Sequence, residues 1–159
     1  MLSIPNDGYD TPNIEKNIIW CEETFTELGF DVERVMAKST SPMMPNHPLL
    51  IANKFISKNY KTVLIYFHMD GQPVDPSKWN QENPFTPVYK LKENGEFYDY
   101  DSSKISELDY ATLEEKDIRI FARASSDAKG PVMMLIQAIK FMNLNNIDQK
   151  LNLIFLFDE

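Results

Sequence analysis

Two short stretches of this chain hold side chains that can do chemistry at a useful spacing. Residues 66–74 read YFHMDGQPV and contain one of only two histidines, two positions before an aspartate. In a strand, residues i and i+2 point to one face, so His68 and Asp70 can face the same space at a strand's last step. A histidine that binds metal through one nitrogen usually gives its other N–H to a carboxylate, which sets the tautomer and raises basicity. His68 and Asp70 could supply both parts. Residues 124–131 read ASSDAKGP. Asp127 falls there between a strand and an apolar helix, where a carboxylate can bridge two metals. Each stretch also has a plainer reading. A strand-end histidine is commonly satisfied by its surroundings, and an aspartate before a helix commonly caps it.

The elements that must position these residues follow from the pattern around them. Residues 61–68, KTVLIYFH, are a near-continuous apolar run rich in β-formers, which suits a strand covered on both faces. Residues 118–124 read as a strand that SSDAKG breaks. Residues 131–142, PVMMLIQAIKFM, read as a helix with Pro131 in its first turn. Val132, Leu135, Ile136 and Ile139 form one stripe, and Met133, Met134 and Phe141 make the helix apolar almost all round, which predicts burial. Upstream, Thr11 and Pro12 fit a helix cap and first helical residue. Ile14, Ile18, Cys21, Phe25 and Leu28 then recur at helical spacing up to Gly29.

Residues 30–35 alternate like a strand, residues 39–48 form a loop with three prolines, and residues 49–56 form a strand. The turn-rich run after Asp70 is a surface loop. Asn94-Gly95 centres a hairpin, and residues 101–117 are an acidic excursion with a short helix. Residues 150–157, KLNLIFLF, are a final buried strand. Strands separated by helices predict an α/β fold, a mixed and largely parallel sheet with helices on both faces. In such sheets ligands bind beyond the carboxyl ends of strands, where His68 and Asp127 fall.

The chain has 159 residues, 43% of them hydrophobic, enough for one domain with a real core. A net charge of -8 argues against a nucleic-acid partner, which needs a cationic surface. No stretch approaches the ~20 apolar residues of a membrane span. The lone Cys21 cannot build an internal disulfide framework and reads as a small buried hydrophobe. His47 reads as a surface histidine, Trp79 and Phe85 as packing for their turn, and Lys129 as serving its loop. Glu114, Glu115 and Asp117 read as a solvated face, since calcium needs a tighter oxygen cluster.

Taken together, TVLIYFHMDGQPVDPSKWNQENPF (residues 62–85) and RIFARASSDAKGPVMMLIQAI (residues 119–139) resemble metallopeptidase family twenty. That family includes carnosine dipeptidases, aminoacylases, carboxypeptidase G and succinyl-diaminopimelate desuccinylases. SIPND and GFDVERV fit the preceding segments, and GQPVDPSKW with KGPV is most similar to the dipeptidase branch. The resemblance implies a zinc-peptidase, phosphorylase/hydrolase-like fold. It implies that His68 ligates one Zn²⁺, that Asp70 orients His68, and that Asp127 bridges two Zn²⁺, with Mn²⁺ or Co²⁺ as alternatives. It implies a cis peptide after Asp127, a small peptide or acyl-amino-acid substrate, and a homodimer. In the family a glutamate deprotonates a water held between the two metals for attack on an amide carbonyl. Two departures stand out: Ala122-Arg123-Ala124 replaces the family's Gly-Arg-Gly, and Ala128 replaces a frequent acidic residue. Residues 93–117 are longer than in many relatives.

The resemblance places the whole chain in the N-terminal part of a catalytic domain. The family's Glu-Glu pair would follow Asp158 and Glu159, and the distal ligands and a lid or dimerisation domain would come later. The chain alone is then expected to be inactive, to bind zinc weakly or not at all, and to associate through the exposed edge of its final strand, residues 150–157. Its location is expected to be cytoplasmic as the chain stands, secreted or periplasmic if a leader precedes Met1. The competing readings are a non-catalytic fragment or pseudo-enzyme that acts by association, and another metallohydrolase such as a phosphoesterase. The Ser-Asp-x-Lys-Gly-Pro stretch counts against the phosphoesterase.

Overall fold

The computed structural model describes residues 1–36, 38 and 45–158. Glu159 and most of the proline-rich loop lie outside the described residues. The elements run α1 (Thr11–Glu27), β1 (Asp31–Met36), β2 (Pro48–Lys54), β3 (Thr62–His68), β4 (Val88–Glu93), β5 (Glu96–Tyr100), α2 (Tyr110–Glu115), β6 (Ile118–Phe121), α3 (Lys129–Leu144) and β7 (Asn152–Asp158). The architecture is mixed α/β, as expected.

Helix α1 is capped one residue earlier than predicted. The Asp10 carboxylate accepts the Asn13 N–H at 3.2 Å, which leaves Thr11 and Pro12 inside the first turn. The helix ends before Gly29, whose φ of 82° lies in the left-handed region that favours glycine. Its Ile14, Ile18, Cys21 and Phe25 are buried.

Strands β1, β2, β7 and β3 form one sheet in that order. The sheet is mixed, but among the described residues β3–β7 is its one parallel pair, so it is less parallel than expected. Strand β7 lies between β2 and β3, so it is not the exposed edge that the sequence suggests. Cross-strand partners share a face. Leu50, Phe157 and Phe67 stand side by side on one face, as do Ala52, Phe155 and Ile65. Against that face pack Ile18, Cys21 and Phe25 of α1 and Val132, Ile136 and Ile139 of α3. Both long helices therefore cover the same face, rather than one each. On the opposite face of β3, Leu64 is 62% and Tyr66 55% exposed. The apolar run of β3 is covered on one side only. Helix α3 is likewise one-sided, with Met134, Phe141 and Leu144 exposed.

Strands β5, β4 and β6 make a second, antiparallel sheet. Asn94 and Gly95 both take positive φ and turn the predicted hairpin. This sheet delivers the chain to the Asp127 loop. Among the described residues no helix is long and apolar enough to cross a membrane.

Candidate metal centre

The end of β3 is fixed before the site begins. His68 pairs with Asp158 in parallel register, and the Met69 N–H extends the ladder by donating to the Asp158 carbonyl at 2.9 Å. Met69 is wholly buried against Cys21, with the two sulfurs 3.2 Å apart. Strand alternation then turns His68 and Asp70 away from that core and toward the open end. The next residues are tied to the N-terminal segment. The Gly71 N–H donates to the Asn6 carbonyl at 2.6 Å, and the Asn6 amide donates to the Met69 carbonyl at 2.8 Å.

The Asp127 loop is built differently. Strand β6 stops at Phe121, three residues short of the predicted end, because the Arg123 N–H leaves the ladder for the Pro84 carbonyl at 2.7 Å. Ala124 takes φ 64° and folds the chain back, so that the Lys129 N–H reaches the Ala124 carbonyl at 3.1 Å. The turn is tight. A Cβ on Gly130 would lie 2.1 Å from the Ser125 carbonyl oxygen, so only glycine fits. The Asp127–Ala128 peptide is cis, as the family resemblance implies. The Asp127 side chain does not cap α3: the cap position is Ala128 and has no side-chain hydrogen bond. The plainer reading of Asp127 as a helix cap is thus set aside.

The two loops bring His68, Asp70 and Asp127 together. His68 Nδ1 lies 3.1 Å from Asp70 Oδ1, and His68 Nε2 lies 3.1 Å from Asp127 Oδ1. The imidazole is held between two carboxylates. His68 and Asp70 are part-buried, whereas the Asp127 side chain is 85% exposed. With Gly71, Gln72 and Arg123 the three residues line a polar hollow of about 240 Å³. Arg123 bridges the loops directly, its Nη2 donating to the Gln72 carbonyl at 2.8 Å. On the same face of β3, the Tyr66 hydroxyl donates to Asp158 Oδ2 at 3.2 Å. Partial desolvation, and then the Asp158 carboxylate, raise the Tyr66 phenol above its ordinary range.

These donors fit a divalent metal. A tetrahedral zinc holds a nitrogen and an oxygen ligand about 3.4 Å apart, given metal–ligand bonds near 2.1 Å. The Nε2 to Oδ1 separation of 3.1 Å needs little opening to admit one. The donor set is incomplete, however. Among the described residues no group of three or more His, Cys, Asp or Glu is placed to hold a metal.

Three residues outside the predicted site prove part of its frame. His47 is buried, not on the surface, with Nε2 2.7 Å from the Gly8 carbonyl. Lys129 is fully buried and bonds the N-terminal segment. Asn6 is also buried, beneath the Asp70 turn. All three act on backbone atoms distant in sequence, which no local pattern announces.

No protein-family model matches the chain. It is 26% identical over 163 residues to the Cys-Gly metallodipeptidase dug1 of Schizosaccharomyces pombe, an alignment taking in 99% of this chain and 29% of that protein. Among solved structures it is similar to human carnosine dipeptidase 1, with a TM-score of 0.70 and 21% identity. It is also similar to the dipeptidase Dug1p of Saccharomyces cerevisiae, with a TM-score of 0.72 and 20% identity. Both structural matches cover 99% of this chain and 29% of the other. The chain thus spans 29% of the length of these relatives.

Proposed function

We propose, for a chain that resembles the metallodipeptidases of family twenty along its whole length, that His68 and Asp127 hold a divalent metal used to hydrolyse peptide bonds in small peptides or acyl amino acids. The observation that carries this reading is the meeting of His68 Nε2 and Asp127 Oδ1 at 3.1 Å, with Asp70 on the other ring nitrogen. The relatives' names, metallodipeptidase and carnosine dipeptidase, support it.

The roles follow from donor chemistry. Asp70 accepts the Nδ1–H of His68, which fixes the tautomer and leaves the Nε2 lone pair for the metal. Asp127 offers two oxygens from an exposed position, so it can serve two ions at once. Zinc suits one imidazole with carboxylates, and Mn²⁺ or Co²⁺ suit the same donors. When bound, such an ion supplies Lewis acidity and a water with its pKa lowered toward neutrality. Arg123 and the Asn6 contacts hold the two loops at this spacing.

The test is a Co²⁺ and Zn²⁺ titration of residues 1–159, beside the His68→Ala and Asp127→Asn variants. Weak binding is expected, since two donors fall short of the three that catalytic zinc keeps. Each variant should abolish it. Equal metal affinity in all three proteins would overturn the reading.

A further inference from the structure

Lys129 is the most unusual side chain in the molecule that the proposed chemistry leaves unused. It is fully buried, directly after the cis peptide that follows Asp127. A buried ammonium carries a desolvation cost that packing alone does not justify, because an apolar side chain would fill the same volume without it. Its position must therefore serve its hydrogen bonds. Nζ donates to the Ile4 carbonyl at 2.5 Å and to the Met1 carbonyl at 3.3 Å, both more than a hundred residues away in sequence.

The segment it grips also holds the other ligand loop. Residues 1–8 link Lys129 to the residues around Asp70 as a strap. Asn6 exchanges bonds with that loop on either side of Asp70, through the Met69 carbonyl and the Gly71 N–H. The Gly8 N–H then donates to the Gly71 carbonyl at 3.3 Å. Asn17 secures the Pro5 carbonyl at 2.8 Å. One end of the strap is thus fixed to the residue two after Asp127, and the other to the residues flanking Asp70. We propose that Lys129 is a positioning residue: by clamping residues 1–8 it sets Asp127 against His68 and Asp70, and so sets the affinity for the metal. This rests on the reading of His68 and Asp127 as metal ligands.

The experiment compares the wild type with Lys129→Met, which keeps length and loses the donors. Two quantities are read by NMR and titration: the Co²⁺ affinity, and the amide hydrogen exchange of Gly71 relative to Phe155 in the core. If Lys129 positions the site, Co²⁺ binding weakens about 10–100-fold, the scale for losing a ligand's orienting partner. Gly71 exchange accelerates at least about tenfold while Phe155 keeps its protection. A lysine that only supports the fold would move both amides together and leave the affinity alone. Unchanged Co²⁺ affinity in folded Lys129→Met overturns the proposal, and unchanged Gly71 exchange overturns the route through the strap. Should Lys129→Met fail to fold, Asn6→Ala cuts the strap at its other end with the lysine in place, and the same two changes are expected. Asp127→Asn separates the two readings. If it binds Co²⁺ as the wild type does, the metal reading falls, and retained Gly71 protection in Lys129→Met would then sink the strap as well.

Discussion

The core under the four-stranded sheet and the loops at its open end are held by opposite means. In the core, Phe25, Phe155 and Phe157 are fully buried, with Phe25 5.4 and 5.0 Å from the other two rings. Such contacts are non-directional and scale with apolar area. At the open end, His68, Asp70 and Asp127 are part-buried or exposed, and their spacing depends on directional bonds to backbone carbonyls. The core can therefore lose volume and keep its site geometry until it unfolds, whereas the site can lose its geometry while the core stands. Fold stability and the proposed metal affinity should therefore separate in mutants confined to one region, and fall together only where a substitution strains the loop backbone itself.

The sharpest way to break this contrast is Phe155→Ala. Removing a fully buried ring in contact with Phe25, Phe30 and Phe67 should cost about 3–5 kcal/mol. Urea unfolding measures it, and a loss below about 1 kcal/mol would mean the aromatic cluster is not the core's centre. Gly130→Ala should come next, at about 1–3 kcal/mol, the scale of overpacking. Its Cβ meets backbone, the Ser125 carbonyl, rather than a movable side chain. Because Ser125 opens the Asp127 loop, this variant should lose metal affinity as well as stability. A variant as stable as the wild type would show that the loop can shift freely. Asp70→Asn should invert the pattern. It leaves unfolding within about 0.5 kcal/mol but weakens the proposed metal binding about 10–100-fold. Equal metal affinity would reduce Asp70 to a turn residue.

The same division explains what could be read from the sequence. Helix α1, strands β1 to β3, the Asn94-Gly95 hairpin and β7 were legible because apolar periodicity and turn residues report local geometry. The convergence of His68 with Asp127 was expected at the edge of one sheet. The two residues do meet, but β6, the strand before Asp127, belongs to the second sheet, so strand-end placement accounts for His68 alone. The coverage of the sheet was not legible. A run such as TVLIYFH looks the same whether one face or two is covered, and here Leu64 and Tyr66 are exposed. Met134 and Phe141 misled for the same reason. The strap was hidden more deeply. His47 and Asn6 are polar residues in irregular segments and Lys129 opens α3, places where a polar residue normally signals surface. Their burial depends on carbonyl partners brought together only by the tertiary fold.

The smallest expected effect tests a departure from the family pattern. Where the family it resembles often has Gly-Arg-Gly, this chain has Ala122-Arg123-Ala124. The two alanines are not equivalent. Ala124 sits at φ 64°, in the left-handed region, and Ala122 is not among the positive-φ residues. A non-glycine residue in that region is strained by about 1–2 kcal/mol, because its Cβ crowds the following carbonyl. Glycine relieves that strain but adds freedom to the unfolded chain, which offsets about 0.4–1 kcal/mol. Both alanines are buried, so either substitution also loses a methyl worth about 0.8 kcal/mol. Strain relief offsets that loss at Ala124 alone, so Ala124→Gly should be close to neutral while Ala122→Gly costs about 1–2 kcal/mol, a gap of about 2–8 °C in Tm. Two thermal melts decide the matter. If the two substitutions lower Tm equally, the left-handed turn at Ala124 is absent in solution, and with it the bend that brings the Asp127 loop back onto Lys129.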